Sequence, residues 1–269
     1  RDRTARLRHV KNRWTVPLKF PSFRFGRRQT ILLASVQFIL GSLLLSAASG
    51  KGTLLLGRLI VGVGVGLASV TVPLYIGECS APELRGLLVA LNNAAITFGQ
   101  LTAGIICGCL VHAPNGWRYM LGLAAVPAGI QLMGFYAMPE SPRYLVKKER
   151  YGEARSVLST IRGPFHQIED EFEDIKIASR QSESLSFGAF LAALPSDRHA
   201  RMSVFLGCLL QLSQQLAGIN TVMYYAASII KMAGASDTTA IWFSALTAGL
   251  NFLLSLVGMR LVQIMPRRY

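Results

Sequence analysis

Six stretches of this chain, at about 30–49, 54–77, 87–111, 117–138, 202–230 and 238–262, are each long and apolar enough to sit in hydrocarbon. A helix needs ~20 predominantly apolar residues to cross the bilayer core. Only helices and closed barrels satisfy every backbone polar group there. The pattern therefore predicts an all-α polytopic membrane protein with the lipid bilayer as its solvent. Charge usage agrees: 16% of the residues are charged, against about 25% in soluble domains.

A net charge of +14 could suggest a nucleic-acid partner, so the placement of the charge decides. Ten Lys and Arg lie in residues 1–28 and ten in 139–201, with Arg85, Arg260, Arg267 and Arg268 adding to them. All of these fall on one side if six helices thread back and forth. The alternate loops hold only Lys51 and Lys231, while Arg118 stands at a helix end and Arg58 inside a span. By the positive-inside rule the basic side is cytoplasmic, which puts both ends of the sequence there. The charge reports topology, and no nucleic-acid partner is expected.

Enzymatic chemistry has no support. Cysteines 79, 107, 109 and 208 lie in or beside spans at no metal-site spacing, and they read as small packing residues. The histidines at 9, 112, 166 and 199 are scattered. No metal or cofactor is expected. No Asn-x-Ser/Thr sequon marks a glycosylated loop. The chain opens on Arg1 without a signal peptide, and basic, non-periodic residues 1–23 abut the first span abruptly. It reads as a fragment.

The spans pair through short outer turns such as Ser49-Gly-Lys-Gly52 and Ala113-Pro-Asn-Gly116. A polar insert at 139–200 separates the fourth span from the fifth. Within it, Tyr144–Ile161 predicts an amphipathic helix stopped by Gly163-Pro164. The acidic run Glu169–Asp174 reads as a solvated face, and a short helix is expected near Ser186–Ala193, ending at Pro195. Gly26-Arg-Arg28 before the first span and Pro266-Arg-Arg268 after the last form a weak repeat, suggesting two related halves.

Polar groups inside the spans carry most of the functional signal. Arg58, a turn or two into the second span, costs ~2.5–3.5 kcal/mol at a membrane centre. It either faces a partner or water, or snorkels to the interface. Gly62 and Gly66, four apart, predict a smooth stripe for close helix packing.

The fifth span contains Gln214-Gln-Leu-Ala-Gly-Ile-Asn-Thr-Val-Met-Tyr-Tyr225. At ~100° per residue, Gln211, Gln214, Gln215, Gly218 and Tyr225 share one broad face, while Asn220 and Tyr224 point elsewhere. Interhelical hydrogen bonds average only ~0.6 kcal/mol, a weak reason to gather so many amides. A midplane pocket for a ligand rich in hydroxyls is the stronger one, because an amide both donates and accepts. If Gln214, Gln215 and Asn220 serve one ligand, the helix must unwind near Gly218. Asn251, Asn92 and Asn93 are further amides in apolar settings.

The cytoplasmic helix ends hold Arg27, Arg28, Glu78, Arg85 and Pro139-Glu-Ser-Pro-Arg143. These charges read either as membrane-edge anchors or as a network that closes one face in one state. A single surface pair is worth little, but a state-dependent network biases an alternating-access equilibrium.

Gly26-Arg-Arg28, Gly57-Arg58 with its glycines, Glu78 with Pro82 and Arg85-Gly86, Pro139 to Arg143, and Gln214-Gln-Leu-x-Gly-Ile-Asn220 together resemble the sugar porter family of the major facilitator superfamily over about residues 24–268. Within it, Gly116-Trp-Arg-Tyr-Met-Leu-Gly-Leu-Ala-Ala-Val-Pro-Ala128 and Ile96-Thr-Phe-Gly-Gln100 look most like the animal proton-coupled myo-inositol cotransporters. The resemblance implies a partial major facilitator fold, with these six helices equivalent to the third to eighth of twelve. Residues 24–138 would be four helices of the N-terminal bundle, 139–200 a cytoplasmic helical linker, and 201–269 the start of the C-terminal bundle.

It also implies transport of a sugar or polyol, through proton-coupled myo-inositol symport, facilitative hexose uniport, or a truncated product that transports nothing. Gln214, Gln215, Asn220, Asn251 and Asn93 would contact substrate, and Tyr224 and Tyr225 would form the outer gate. Arg58 would serve proton coupling. Arg27, Arg28, Glu78, Arg85, Glu140 and Arg143 would form the cytoplasmic gate. The residence implied is the plasma membrane. The chain departs from the family pattern at Phe23, Gln263 and Pro266. The family's first two helices, with the proton-coupling aspartate, and its last four would lie outside this sequence.

Overall fold

The structure is a computed structural model that describes residues 25–81, 83–163, 168–183 and 198–264. The basic end at 1–23, Pro82, Pro164, the helix expected at 186–193 and Pro266-Arg-Arg268 lie outside them, as does the side chain of Gln263. The described residues form eleven helices: α1 Arg27–Ser46, α2 Lys51–Cys79, α3 Arg85–Leu110, α4 Gly116–Leu123, α5 Ala125–Ala137, α6 Pro142–Lys147, α7 Tyr151–Arg162, α8 Ile168–Glu183, α9 Arg198–Leu216, α10 Ile219–Met232 and α11 Asp237–Ile264. No strand occurs among the described residues. Six helical stretches are long and apolar enough to span a membrane: α1, α2, α3, Gly116–Ala137, Arg201–Met232 and Asp237–Leu261. The chain is a multi-pass membrane protein, as the apolar windows predict.

It divides into two compact units, Arg1–Thr30 with Met138–Leu209, and Ile31–Ala137 with Leu210–Tyr269. In the second, helices approach through small residues. A Cβ added at Gly57 of α2 would fall 2.7 Å from the Leu45 side chain of α1, and one at Gly64 would lie 3.3 Å from Phe38 and the Ala34 carbonyl. The stripe predicted at Gly62 and Gly66 is not the contact surface: among the described residues, nothing lies within 4 Å of a Cβ at either. The contacting glycines, Gly57 and Gly64, are seven apart, so α1 packs on the other face of α2.

The helices α3 and α11 also meet through small residues. Gly104 faces Ala245, Gly108 faces the Trp242 ring, and Leu101 faces Gly249. Phe98 and Phe252 stand with ring centroids 5.4 Å apart. Close backbone approach of this kind replaces the hydrophobic drive that lipid removes. The fourth span is interrupted between α4 and α5, with Pro127 in the first turn of α5, where its missing N–H costs least. Arg118 on α4 donates to the Ala48 carbonyl at 2.9 Å and stacks 4.9 Å over Trp117, so this helix-end cation satisfies the turn after α1.

The first unit has its own core of Leu145, Val146, Ala154, Leu158 and Phe172, with Tyr151, Val157, Ile168 and Ile175 around it. The single helix expected over Tyr144–Ile161 is two, α6 and α7. Glu149 takes φ 60°, and the Arg150 N–H returns to the Leu145 carbonyl at 3.0 Å. The bend lets the apolar residues of α6 fold onto those of α7, which a straight helix would hold apart. Gly163 stops α7 as predicted, at φ 82°. The acidic run is not simply solvated: Arg162, its side chain 5% exposed, grips Glu171 at 2.8 and 2.9 Å, and Arg155 and Lys176 pair with Glu169 and Glu173.

Candidate functional site

The fifth span breaks where the spacing of its amides predicts. α9 ends at Leu216 and α10 begins at Ile219, with Gly218 between them in the left-handed region at φ 73°, ψ 13°. A side chain there would cost roughly 1–2 kcal/mol, which glycine avoids. The Gly218 N–H closes on the Gln215 carbonyl at 3.1 Å, and the Val222 N–H restarts the ladder on Gly218 at 3.0 Å. Ending one helix and starting another leaves backbone groups without intrahelical partners.

The break reorients Asn220. Its Nδ2 donates to Gln215 Oε1 at 2.8 Å, joining two side chains that a continuous helix would separate. Gln214, Gln215 and Asn220 are all exposed, as are Tyr224 at 82% and Tyr225 at 59% one to two turns further on. A run of hydrogen-bonding groups thus lies open beside a helix end, suited to a ligand with several hydroxyls.

Asn251 on α11 is not brought to these amides by a hydrogen bond. Its Nδ2 donates to Gln100 Oε1 of α3 at 3.4 Å. Asn93, also exposed, precedes Gln100 by seven residues and so shares its face of α3. Gln100 is thus a polar neighbour of Asn251 to which the sequence pattern assigns no role of its own. The two-turn spacing from Asn93 was the available signal, but nothing local pointed to Asn251. Asn92, by contrast, lines an apolar cavity of about 440 Å³ between α2 and α3, together with Tyr75, Ile76, Cys79, Ser80, Leu88, Leu91 and Ala95.

Arg58 is exposed on α2, with no ion pair among the described residues. The charged residues of the helix ends fall in both units. In the first, Glu140 caps α1: its Oε1 accepts from the backbone N–H groups of Arg27 at 3.0 Å, Arg28 at 3.2 Å and Ser141 at 2.8 Å. A carboxylate at a helix N-terminus satisfies orphan donors and meets the positive end of the dipole. Gly26, at φ 100°, lies against that carboxylate so closely that a Cβ would collide with it. Arg27 is 4% exposed, with its guanidinium 5.5 Å over the Tyr144 ring. Burial, then the Glu140 charge, pushes the Tyr144 phenol above its usual range, against Arg27 and Arg150. Arg143 is exposed on α6. In the second unit, Glu78 is buried near the end of α2, and Arg85 at the start of α3 has a buried Nε without a hydrogen-bond partner among the described residues.

A family model described as "Sugar (and other) transporter" matches residues 18–269. The proton myo-inositol cotransporter of Homo sapiens is 49% identical over 248 residues, 91% of this chain and 38% of that protein. Inositol transporter 4 of Arabidopsis thaliana is 42% identical over 252 residues, 91% of this chain and 43% of that one. The chain thus spans about four-tenths of the length of these relatives. Among solved structures, the major facilitator superfamily proton:xylose symporter XylE bound to 6-bromo-6-deoxy-D-glucose superposes with a TM-score of 0.78 at 28% identity, covering 90% of this chain and 54% of that one.

Proposed function

The chain belongs to the sugar (and other) transporter family, the sugar porters of the major facilitator superfamily, and on that premise we propose that it serves transmembrane transport of a sugar or polyol by proton-coupled myo-inositol symport. One observation carries the reading: the span breaks at Gly218 and sets Gln215 and Asn220 side by side, exposed. Broken helices near the midplane are how many transporters form substrate sites. The 49% identity to a protein named for proton and myo-inositol favours that pair over other sugars.

In this proposal Gln214, Gln215, Asn220, Asn251 and Asn93 bind substrate hydroxyls, and Tyr224 and Tyr225 close the site from outside. Arg58 responds to the proton-carrying group. Arg27, Arg28, Glu78, Arg85, Glu140 and Arg143 stabilise the cytoplasm-closed state. Residues 24–138 and 201–269 belong to two bundles that rock about the site, with 139–200 as the linker between them. No covalent step is required. The positive-inside distribution supports a cytoplasmic 139–200 segment, and the plasma membrane is the proposed residence.

The test is uptake of labelled myo-inositol by the full-length protein in proteoliposomes, with and without an inward proton gradient. Saturable, gradient-driven accumulation is expected. Uptake indifferent to external pH, or inhibited by hexoses and not by myo-inositol, would overturn the proposal in favour of a facilitative hexose carrier.

A further inference from the structure

The first compact unit carries its charge on two opposite sides. In α6, Arg143 and Lys147 are four residues apart and lie about 160° round the helix from Leu145, which is buried in the unit's core. In α8, Asp170 and Asp174 are also four apart, both exposed, and lie about 160° from Phe172 in the same core. The core thus separates a basic edge from an acidic one. Lys148 and Arg150 carry the basic edge round the bend towards α7, with Arg143, Lys148 and Arg150 all exposed. Among the nearby carboxylates, Glu153 accepts from Arg150 Nε at 2.8 Å.

Contacts with α1 fix the height of the basic edge. α1 is the first span, and its Arg27 and Arg28 N–H groups are held by Glu140, three residues before Arg143. The Tyr144 ring lies against Gly26, where an added Cβ would come within 3.1 Å of it. That one ring has the Arg27 guanidinium 5.5 Å from its centroid and the Lys148 ammonium 5.9 Å away. Lys148 therefore stands beside the first turn of a membrane helix. Phe25, 61% exposed, projects at the same end, an apolar ring that a headgroup layer would cover.

We propose that Arg143, Lys147, Lys148 and Arg150 form a docking surface for anionic phospholipid headgroups, which hold the bend between α6 and α7 against the leaflet while the acidic face of α8 stays in water. A cluster of Lys and Arg immediately beside a membrane helix attracts anionic lipid, and the attraction fades within a Debye length of about 8–10 Å. The anchorage to α1 keeps the cluster within that range. Asp170 and Asp174 would be repelled by the same surface, and the core holds them on the far side. Positive-inside charge in general decides only how spans insert. A cluster held at fixed height in a folded unit goes further and can bind. The proposal does not depend on the substrate.

The experiment is hydrogen exchange of the full-length protein in nanodiscs of phosphatidylcholine, alone or with about a third phosphatidylserine. The amides of Lys148, Glu149 and Arg150, which close the bend on the carbonyls of Tyr144, Val146 and Leu145, report the contact. They should exchange about 3- to 10-fold more slowly with phosphatidylserine. Salt at about 1 M should remove the difference, because the Debye length falls to about 3 Å. The triple variant K147Q/K148Q/R150Q should lose the lipid effect, while Ala154 and Leu158 in the core keep their protection. Lys148→Arg, which retains the charge, and Asp170→Asn with Asp174→Asn, on the opposite face, should both keep the lipid effect. Soluble glycerophosphoserine added to phosphatidylcholine discs should not reproduce it. Equal exchange in the two discs, salt-insensitive protection, or protection that persists in the triple variant would each overturn the proposal. So would protection by the soluble headgroup, which would make the site one for a free phosphate. Should the triple variant unfold the core, the salt dependence of the wild type and the result for Lys148→Arg still decide.

Discussion

Asn220 Nδ2 lies 2.8 Å from Gln215 Oε1, on the opposite side of a glycine in the left-handed conformation. The hydrogen bond and the break depend on each other. Without the left-handed residue the ladder would continue, and Asn220 would face away from Gln215. Without the amide pair, Gln215 and Asn220 would lose that partner in a span that also exposes Leu210, Leu212 and Leu216.

Gly218→Ala adds a methyl group that meets nothing within 4 Å, so any effect must come from the backbone. Holding alanine at φ 73° costs roughly 1–2 kcal/mol. We expect a lower melting temperature and weaker substrate binding. Gly207→Ala, in the same span and also in open space, should be neutral or stabilising by about 0.5–1 kcal/mol. Equal melting of the two variants in detergent would remove the argument for a required break.

Gln215→Ala removes one partner of Asn220. The net worth of such a bond is ~0.5–1.5 kcal/mol, which predicts a KM raised about 2- to 10-fold at unchanged surface expression. An unchanged KM would show that this amide does not contact substrate.

Arg58→Leu should lower proton-driven accumulation more than substrate exchange, because exchange needs no net proton movement. Side-by-side counterflow and gradient-driven uptake separate the two. Equal loss of both would point to misfolding.

Gly26→Ala would force a side chain into φ 100° and against the Glu140 carboxylate. Strain of this kind costs about 1–3 kcal/mol. Glu140→Gln retains an acceptor for the Arg27 and Arg28 N–H groups but loses its charge, and about 1 kcal/mol of destabilisation is expected. Thermal unfolding of the full-length protein should rank wild type above Glu140→Gln and Glu140→Gln above Gly26→Ala; the reverse order would contradict the capping role.

Gly104→Leu should wedge α3 from α11, where overpacking costs about 1–3 kcal/mol. Gly66→Leu, with open space around it among the described residues, should be far milder. If Gly66→Leu proved the more damaging, the stripe on α2 would be a packing surface after all.

The motif around Gln214 shows how far local reading carries. Glycine between amides in an apolar span signals a break, because both the need to satisfy amides and the freedom of Gly218 are local properties. The close-packed glycines of α2 were not legible in this way. Gly57 and Gly64 touch α1, while Gly62 and Gly66 do not, and all four look alike along the chain. The same holds for Tyr144–Ile161, whose apolar pattern suits one helix or two. The bend at Glu149 follows from what α6 folds onto, not from any stop signal at that position.

The sequence by itself determined the six spans, the clustering of the basic charge in alternate loops, the family and the helix break. Each depends on residues close together in the chain and on the cost of polar groups in hydrocarbon. Tertiary structure alone decided that Gln100 meets Asn251, that Glu140 caps the helix beginning at Arg27, and that Arg162 pairs with Glu171 in a partly buried setting. Those partners lie on separate helices. Which side chains meet is fixed by how helices pack face to face, and the periodicity of any one helix leaves that choice open.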